Sequence, residues 1–238
     1  MSNDMHRNLS NGNGTPGLLD TAPASKRGRA TRGAPKPNGK NGKKVEVAEL
    51  SIPDLETSKI TLTVKGMTPL IVHKFGDKSR KQMEDKQQGK AQHKKEAKDP
   101  QAEFRSSLYV INEKKGIYGF PASGFKKAMV SACRYAEGVT MTKALGAFHV
   151  LGDLLPIKGA KPEMRTDVVR VGKFGAKTSD IRYRGEFKNW SIDVEILYNA
   201  RVVNKQTLAH LLHLAGFSVG IGEWRPEKGG QFGMFELK

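Results

Sequence analysis

The chain has 238 residues, with 41 Lys and Arg against 24 Asp and Glu, a formal charge of +17. A surplus of that size points to a polyanionic partner: nucleic acid first, an acidic protein or membrane surface second. The single cysteine, Cys133, excludes an internal disulfide, and no run of about 18 apolar residues occurs that would span a membrane as a helix. Met1-Ser2-Asn3-Asp4 opens without an apolar leader, so a reducing cytoplasm is expected.

Residues 1–44 are rich in Asn, Gly, Pro, Ser, Lys and Arg and nearly lack large apolar side chains. Such a segment cannot bury enough surface to offset the entropy of ordering, and it reads as a disordered basic tail. Lys26, Arg27, Arg29, Arg32, Lys36, Lys40, Lys43 and Lys44 would let it hold phosphates non-specifically. One folded domain is expected over 45–238. Ile60–Val64 alternates with β-branched residues and predicts a strand, which Leu70–Val72 continues beyond Gly66 and Pro69. Residues 76–103 are dense in Lys and predict an exposed helix or insertion.

Phe104–Ile111 reads as a strand, Asn112–Gly116 as a turn and Ile117–Phe120 as a strand. A helix follows from Phe125 to about Ala136, with Ser123 as its N-cap and with Phe125, Ala128, Met129, Ala132 and Cys133 turned to the core. Phe148–Leu151 and Val168–Val171 are further strand candidates. Cations and aromatic rings interleave over 158–190, among them Lys173, Phe174, Lys177 and Tyr183. That mixture suits single-stranded nucleic acid, in which cations hold phosphate and rings stack on bases. Trp190–Tyr198 alternates cleanly as a strand. Asn204–Ala215 is a helix with Asn204 as N-cap and Gly216 at its C-terminus.

The glycine-rich stretch 216–235 closes this order, before a strand over Phe232–Leu237. Gly220, Gly222 and Gly230 would let the backbone approach a ligand, and successive N–H groups in such loops cradle anions. Trp224, Arg225 and Lys228 would add a stacking surface and charge. The competing reading is a glycine-rich turn with Trp224 closing the core.

Strand, helix, strands, helix, loop, strand is the order of a ferredoxin-like βαββαβ unit, an α+β fold. Tyr118-Gly-Phe-Pro-Ala-Ser-Gly-Phe-Lys-Lys-Ala-Met-Val130 resembles the turn and helix motif of the RAMP superfamily, in particular of the backbone subunits of CRISPR effector complexes. Gly220-Ile-Gly-Glu-Trp-Arg-Pro-Glu-Lys-Gly-Gly-Gln-Phe-Gly233 resembles that superfamily's glycine-rich loop. The resemblance covers most of 58–238, although Ala122 stands where the first motif has a glycine. The chain also resembles small phage and prophage proteins, which implies a bacterial or phage-infected cell.

The resemblance implies an RRM-like domain with an inserted hairpin or thumb within 158–189. It implies single-stranded RNA, with DNA left open, and a homo-oligomer assembled along the strand. Carried onto this sequence, Ser123, Lys126 and Lys127 would contact phosphates near a helix start. Gly220, Gly222, Trp224, Arg225, Lys228 and Gly230 would form the loop side. Arg165, Arg170, Arg182 and Arg184 would form the thumb side.

No catalytic residue, metal or cofactor is assigned. His210 and His213 share a helical turn, but no His-Glu-x-x-His or Cys-x-x-Cys spacing accompanies them. The alternatives are a metal-independent ribonuclease of the same fold using His73 or His149, a phage single-stranded DNA-binding or recombination protein, and a protein-interaction module.

Overall fold

A computed structural model describes residues 54–90, 97–159, 161–172 and 178–238. The basic tail, the domain start at Val45, and Lys173, Phe174 and Lys177 lie outside the described residues.

Two long strands form the spine. β1 (Thr57–Gly66) turns Ile60, Leu62 and Val64 to the core, and Lys59, Thr61 and Lys65 outward. β10 (Trp190–Asn199) alternates in the same sense and pairs antiparallel with β1, from Thr57 opposite Asn199 to Lys65 opposite Ser191. β11 (Phe235–Leu237) pairs antiparallel with the far side of β1, and β5 (Phe148–Val150) with the far side of β10. The sheet order is therefore β11-β1-β10-β5, with the two-residue β7 (Lys158–Gly159) also on β10. The fold is α+β with antiparallel sheets.

Helices α3 (Ala122–Ala132) and α5 (Lys205–Ser218) pack on each other and on the apolar face of this sheet. Phe125, Met129, Leu208 and Leu212 are fully buried there with Ile192 and Ile196. Burying each such side chain stabilises the fold by roughly 1.5–3 kcal/mol. Trp190 closes one end. Its indole donates to Thr68 O at 2.8 Å, and a Cβ on Gly66 would lie 2.2 Å from the ring nitrogen.

Two smaller sheets flank the main one. β2 (Leu70–Val72), β9 (Thr178–Phe187) and β8 (Glu163–Val171) form one, in the order β2-β9-β8. β8 and β9 make a long antiparallel hairpin inside the expected span. β3 (Val110–Asn112), β4 (Ile117–Pro121) and β6 (Leu154–Pro156) form the other.

The charged stretch holds α1 (Asp77–Gln87) and α2 (Pro100–Ser106), and α4 (Met141–Ala147) precedes β5. The strand expected over Phe104–Ile111 is mostly α2 and the turn after it. Asp99 caps that helix by accepting from Gln101 and Ala102, and Pro100 is preset for its first turn.

Ser123 is not the N-cap of α3. Pro121 occupies that position without a side-chain cap, and Asp153 O accepts from Ala122 N–H instead, at 2.9 Å. α5 also runs past its expected end. Gly216 lies within it, and its lack of a side chain lets β11 pack close, since a Cβ there would sit 1.9 Å from Phe235 O. The helix stops at Gly220, whose φ of 69° lets its N–H turn back to Ala215 O at 2.8 Å.

Candidate nucleic-acid interface

Among the described residues, the outward face of the main sheet carries no Phe, Tyr or Trp. Lys59, Thr61, Thr63 and Lys65 project from β1, Asp193 and Glu195 from β10, and His149 from β5. They pair among themselves: Lys59 with Glu195 at 3.4 Å, Lys158 with Asp193 at 2.5 Å, and Thr63 donating to Asp193 at 2.8 Å. An RRM sheet binds RNA by stacking bases on aromatic side chains, and this face offers none.

The sequence motifs meet on the other side. The turn of β4 into α3 and the loop after α5 enclose a cleft of about 280 Å³. Ser123, Gly124 and Lys127 line it from α3, and Gly220, Gly222 and Arg225 from the loop. His73, Tyr109, Phe120, Glu223 and Glu227 complete much of the wall. Ala122 N–H is taken by Asp153 O, and the next two residues of α3, Ser123 and Gly124, whose N–H groups have no helical acceptor, line the cleft. Lys127 is exposed and makes no ion pair or hydrogen bond among the described residues.

Backbone geometry explains the glycines. Gly222 has φ 78°, and a Cβ on it would lie 2.4 Å from Ile71 O. A Cβ on Gly230 would lie 1.7 Å from Trp224 O, so the loop folds back on itself only with glycine there. Trp224 has φ 55°, the one positive value outside glycine among the described residues, and it is 46% exposed. It does not close the core. Lys228 sits on the outer 3₁₀ turn, exposed.

Arg225 lies in the cleft but is engaged. Its Nη2 and Nε donate to Glu227 at 2.8 and 3.1 Å, and its Nη1 to Gly222 O at 3.1 Å. Ser131 also donates to Glu227, at 3.1 Å. Burial opposes the Glu227 charge, but the hydrogen bonds from Arg225 and Ser131 outweigh it, and the carboxyl titrates below its ordinary value.

Lys126 points away from the cleft. Its ammonium donates to Ala144 O at 2.9 Å, Leu145 O at 3.0 Å and Phe148 O, and lies over the Phe148 ring at 3.9 Å. It serves the carbonyl end of α4, and burial lowers its pKa against the opposing influence of Cys133.

The hairpin arginines divide by strand face. Arg165, Arg182 and Arg184 share one face with Asp167, Asp180 and Glu186. Arg165 donates to Asp167 at 2.8 Å and Glu186 at 3.1 Å, Arg184 donates to Asp167 at 3.2 Å, and Arg182 lies 2.8 Å from Asp180. That face approaches the glycine loop, with Arg165 4.6 Å over the Phe232 ring and Arg184 4.0 Å from Glu223. Arg170 is on the opposite, exposed face.

Tyr109, Glu223 and Glu227 line the cleft without having been expected from the sequence. Both carboxylates stand in the glycine stretch, but the expectation of an anionic ligand singles out its cations instead.

No protein family and no curated protein matches the sequence. Among solved structures, the crystal structure of Cmr6 from Pyrococcus furiosus aligns with 78% of this chain and 100% of that one, at 11% identity and TM-score 0.44. The cryo-EM structure of the Type III-B Cmr-beta bound to cognate target RNA aligns with 76% of this chain, at 11% identity and TM-score 0.45. The chain spans 59% of the length of that second one. Among the described residues no helix is long and apolar enough to cross a membrane, and no cluster of His, Cys, Asp and Glu could hold a metal ion.

Proposed function

We propose that the protein binds single-stranded nucleic acid, RNA in preference to DNA, with its backbone seated in the cleft between α3 and the glycine loop. The observation that carries this reading is the cleft itself. Two motifs about a hundred residues apart line one concavity with a helix N-terminus, an unpaired lysine and close-approach glycines. The four-stranded order β11-β1-β10-β5 with α3 and α5 supports a split βαββαβ reading of the domain. The preference for RNA and assembly of copies along the strand follow from the RAMP resemblance.

The paired state of the arginines shapes the mechanism. Lys127 and the Ser123 and Gly124 N–H groups take phosphate directly. Arg225 shapes the loop through Glu227, and exposed Trp224 and Lys228 extend the surface. Fluorescence anisotropy with labelled single-stranded RNA and DNA tests this. Lys127→Glu should weaken binding and reduce the slope of log affinity against log salt by about one phosphate's worth. Unchanged binding and slope would remove the cleft from the interface.

A ribonuclease reading keeps one observation in its favour, since His73 lines the same cleft. His149 does not serve it, lying on the outward sheet face. Cleavage without magnesium that His73→Gln abolishes would establish that activity.

A further inference from the structure

The cleft contains a carboxylate that phosphate binding does not use. Glu227 is neutralised by Arg225. Glu223 is not held in this way. Its two oxygens lie 4.0 Å from His73 Nδ1 and 4.0 Å from Arg184 Nη2, outside hydrogen-bond range, and the side chain is 42% exposed. Arg184 has its hydrogen bond elsewhere, on Asp167.

The loop nevertheless fixes this residue in place. Glu223 N–H donates to Ile71 O at 3.0 Å, between Gly222 and Trp224, both at positive φ. A carboxylate beside a phosphate path repels the ligand unless it meets a donor. His73 and Tyr109 line the same wall. Burial and then Glu223 push the Tyr109 hydroxyl's pKa up, so it stays a donor. The cleft lining thus holds a cation, Lys127, and a carboxylate acceptor, Glu223, with His73 and Tyr109 near it.

We propose that Glu223, with His73 and Tyr109, forms a base-reading subsite that selects nucleotides bearing an exocyclic amino group, such as cytosine and adenine, over uracil. The carboxylate accepts from the amino group. Uracil places a carbonyl oxygen there, acceptor against acceptor. This rests on the single-strand reading above, and it adds a base preference that phosphate contacts cannot supply.

The test is anisotropy on the full chain with short labelled oligomers of cytidine, adenosine and uridine. Cytidine and adenosine oligomers should bind about tenfold tighter than uridine. Glu223→Gln, whose amide offers both donor and acceptor, should bring the affinities together. Because adenosine oligomers stack on themselves, the deciding quantity is the change in ratio between wild type and variant. Lys127→Glu should weaken all three alike. Equal wild-type affinities, or a ratio that Glu223→Gln leaves unchanged, would overturn the subsite while leaving single-strand binding intact. Failure of every oligomer to bind would overturn both.

Discussion

Lys126 and Lys127 are neighbours in sequence with opposite fates. A single helical step, a rotation of about 100°, places Lys126 over the carbonyl end of α4 and Lys127 in the cleft. A hydrogen bond to a charged group contributes about 1.5–3 kcal/mol, so Lys126→Met should cost at least about that much stability. Thermal unfolding should show the loss, while oligomer affinity of the folded protein stays near wild type. A normal melting temperature with abolished binding would instead return Lys126 to the interface. His73 sets a pH dependence at the same scale. Burial lowers its pKa first, Arg184 adds to this, and Glu223 opposes it. Above the ordinary 6.5 it is neutral folded or unfolded and stability does not depend on it. As pH falls below that value the unfolded chain takes the proton first, so stability declines until the lower folded pKa is passed. His73→Gln should flatten this limb of a stability–pH profile measured in urea.

At the scale of elements, the hairpin shows why composition misleads about charge. Its cations are plain in the sequence, but the acids that answer them sit two residues away or across the ladder, and only the β8–β9 register reveals that they share a face. Arg184 is 6% exposed and its hydrogen-bonded partner is Asp167. Asp167→Asn should therefore leave a buried guanidinium short of its countercharge and cost about 3 kcal/mol or more, read as a shift in the urea midpoint. A shift within error would mean that the hairpin opens enough for water to take over. The strand at 190–199 and the helix at 205–218 are legible because each has a full apolar period and, for the helix, an Asn204 cap at 2.8 Å. α2 is not, because Phe104 and the apolar run Leu108–Ile111 after the helix fit a strand together, while Asp99-Pro100 carries the true signal. The cleft is half legible. Glycine and lysine positions follow from local pattern, whereas Glu223, Tyr109 and His73 meet there through tertiary contacts between distant segments.

For the whole molecule, the question is where the surplus of +17 acts. The sheet face, the hairpin face and Arg225 are paired with acids, so they contribute little net field at the cleft. Lys127 is one unpaired cation at that site, and a single neutralised phosphate gives only a shallow salt dependence. The segment before the folded domain carries eight further cations between Lys26 and Lys44. If the cleft seats the strand and the tail gathers phosphates along it, removing residues 1–44 should weaken binding strongly at low salt and little at high salt. The slope of log affinity against log salt should fall by about 0.7 for every phosphate that the tail had neutralised. The ratio between cytidine and uridine oligomers should not move if, as proposed, Glu223 makes that choice. Anisotropy titrations at several salt concentrations, on the full chain and on residues 45–238, separate the two terms. An unchanged slope would place the whole electrostatic contribution in the folded domain. Disappearance of the base preference would show that the tail, not the cleft, sets how bases are presented.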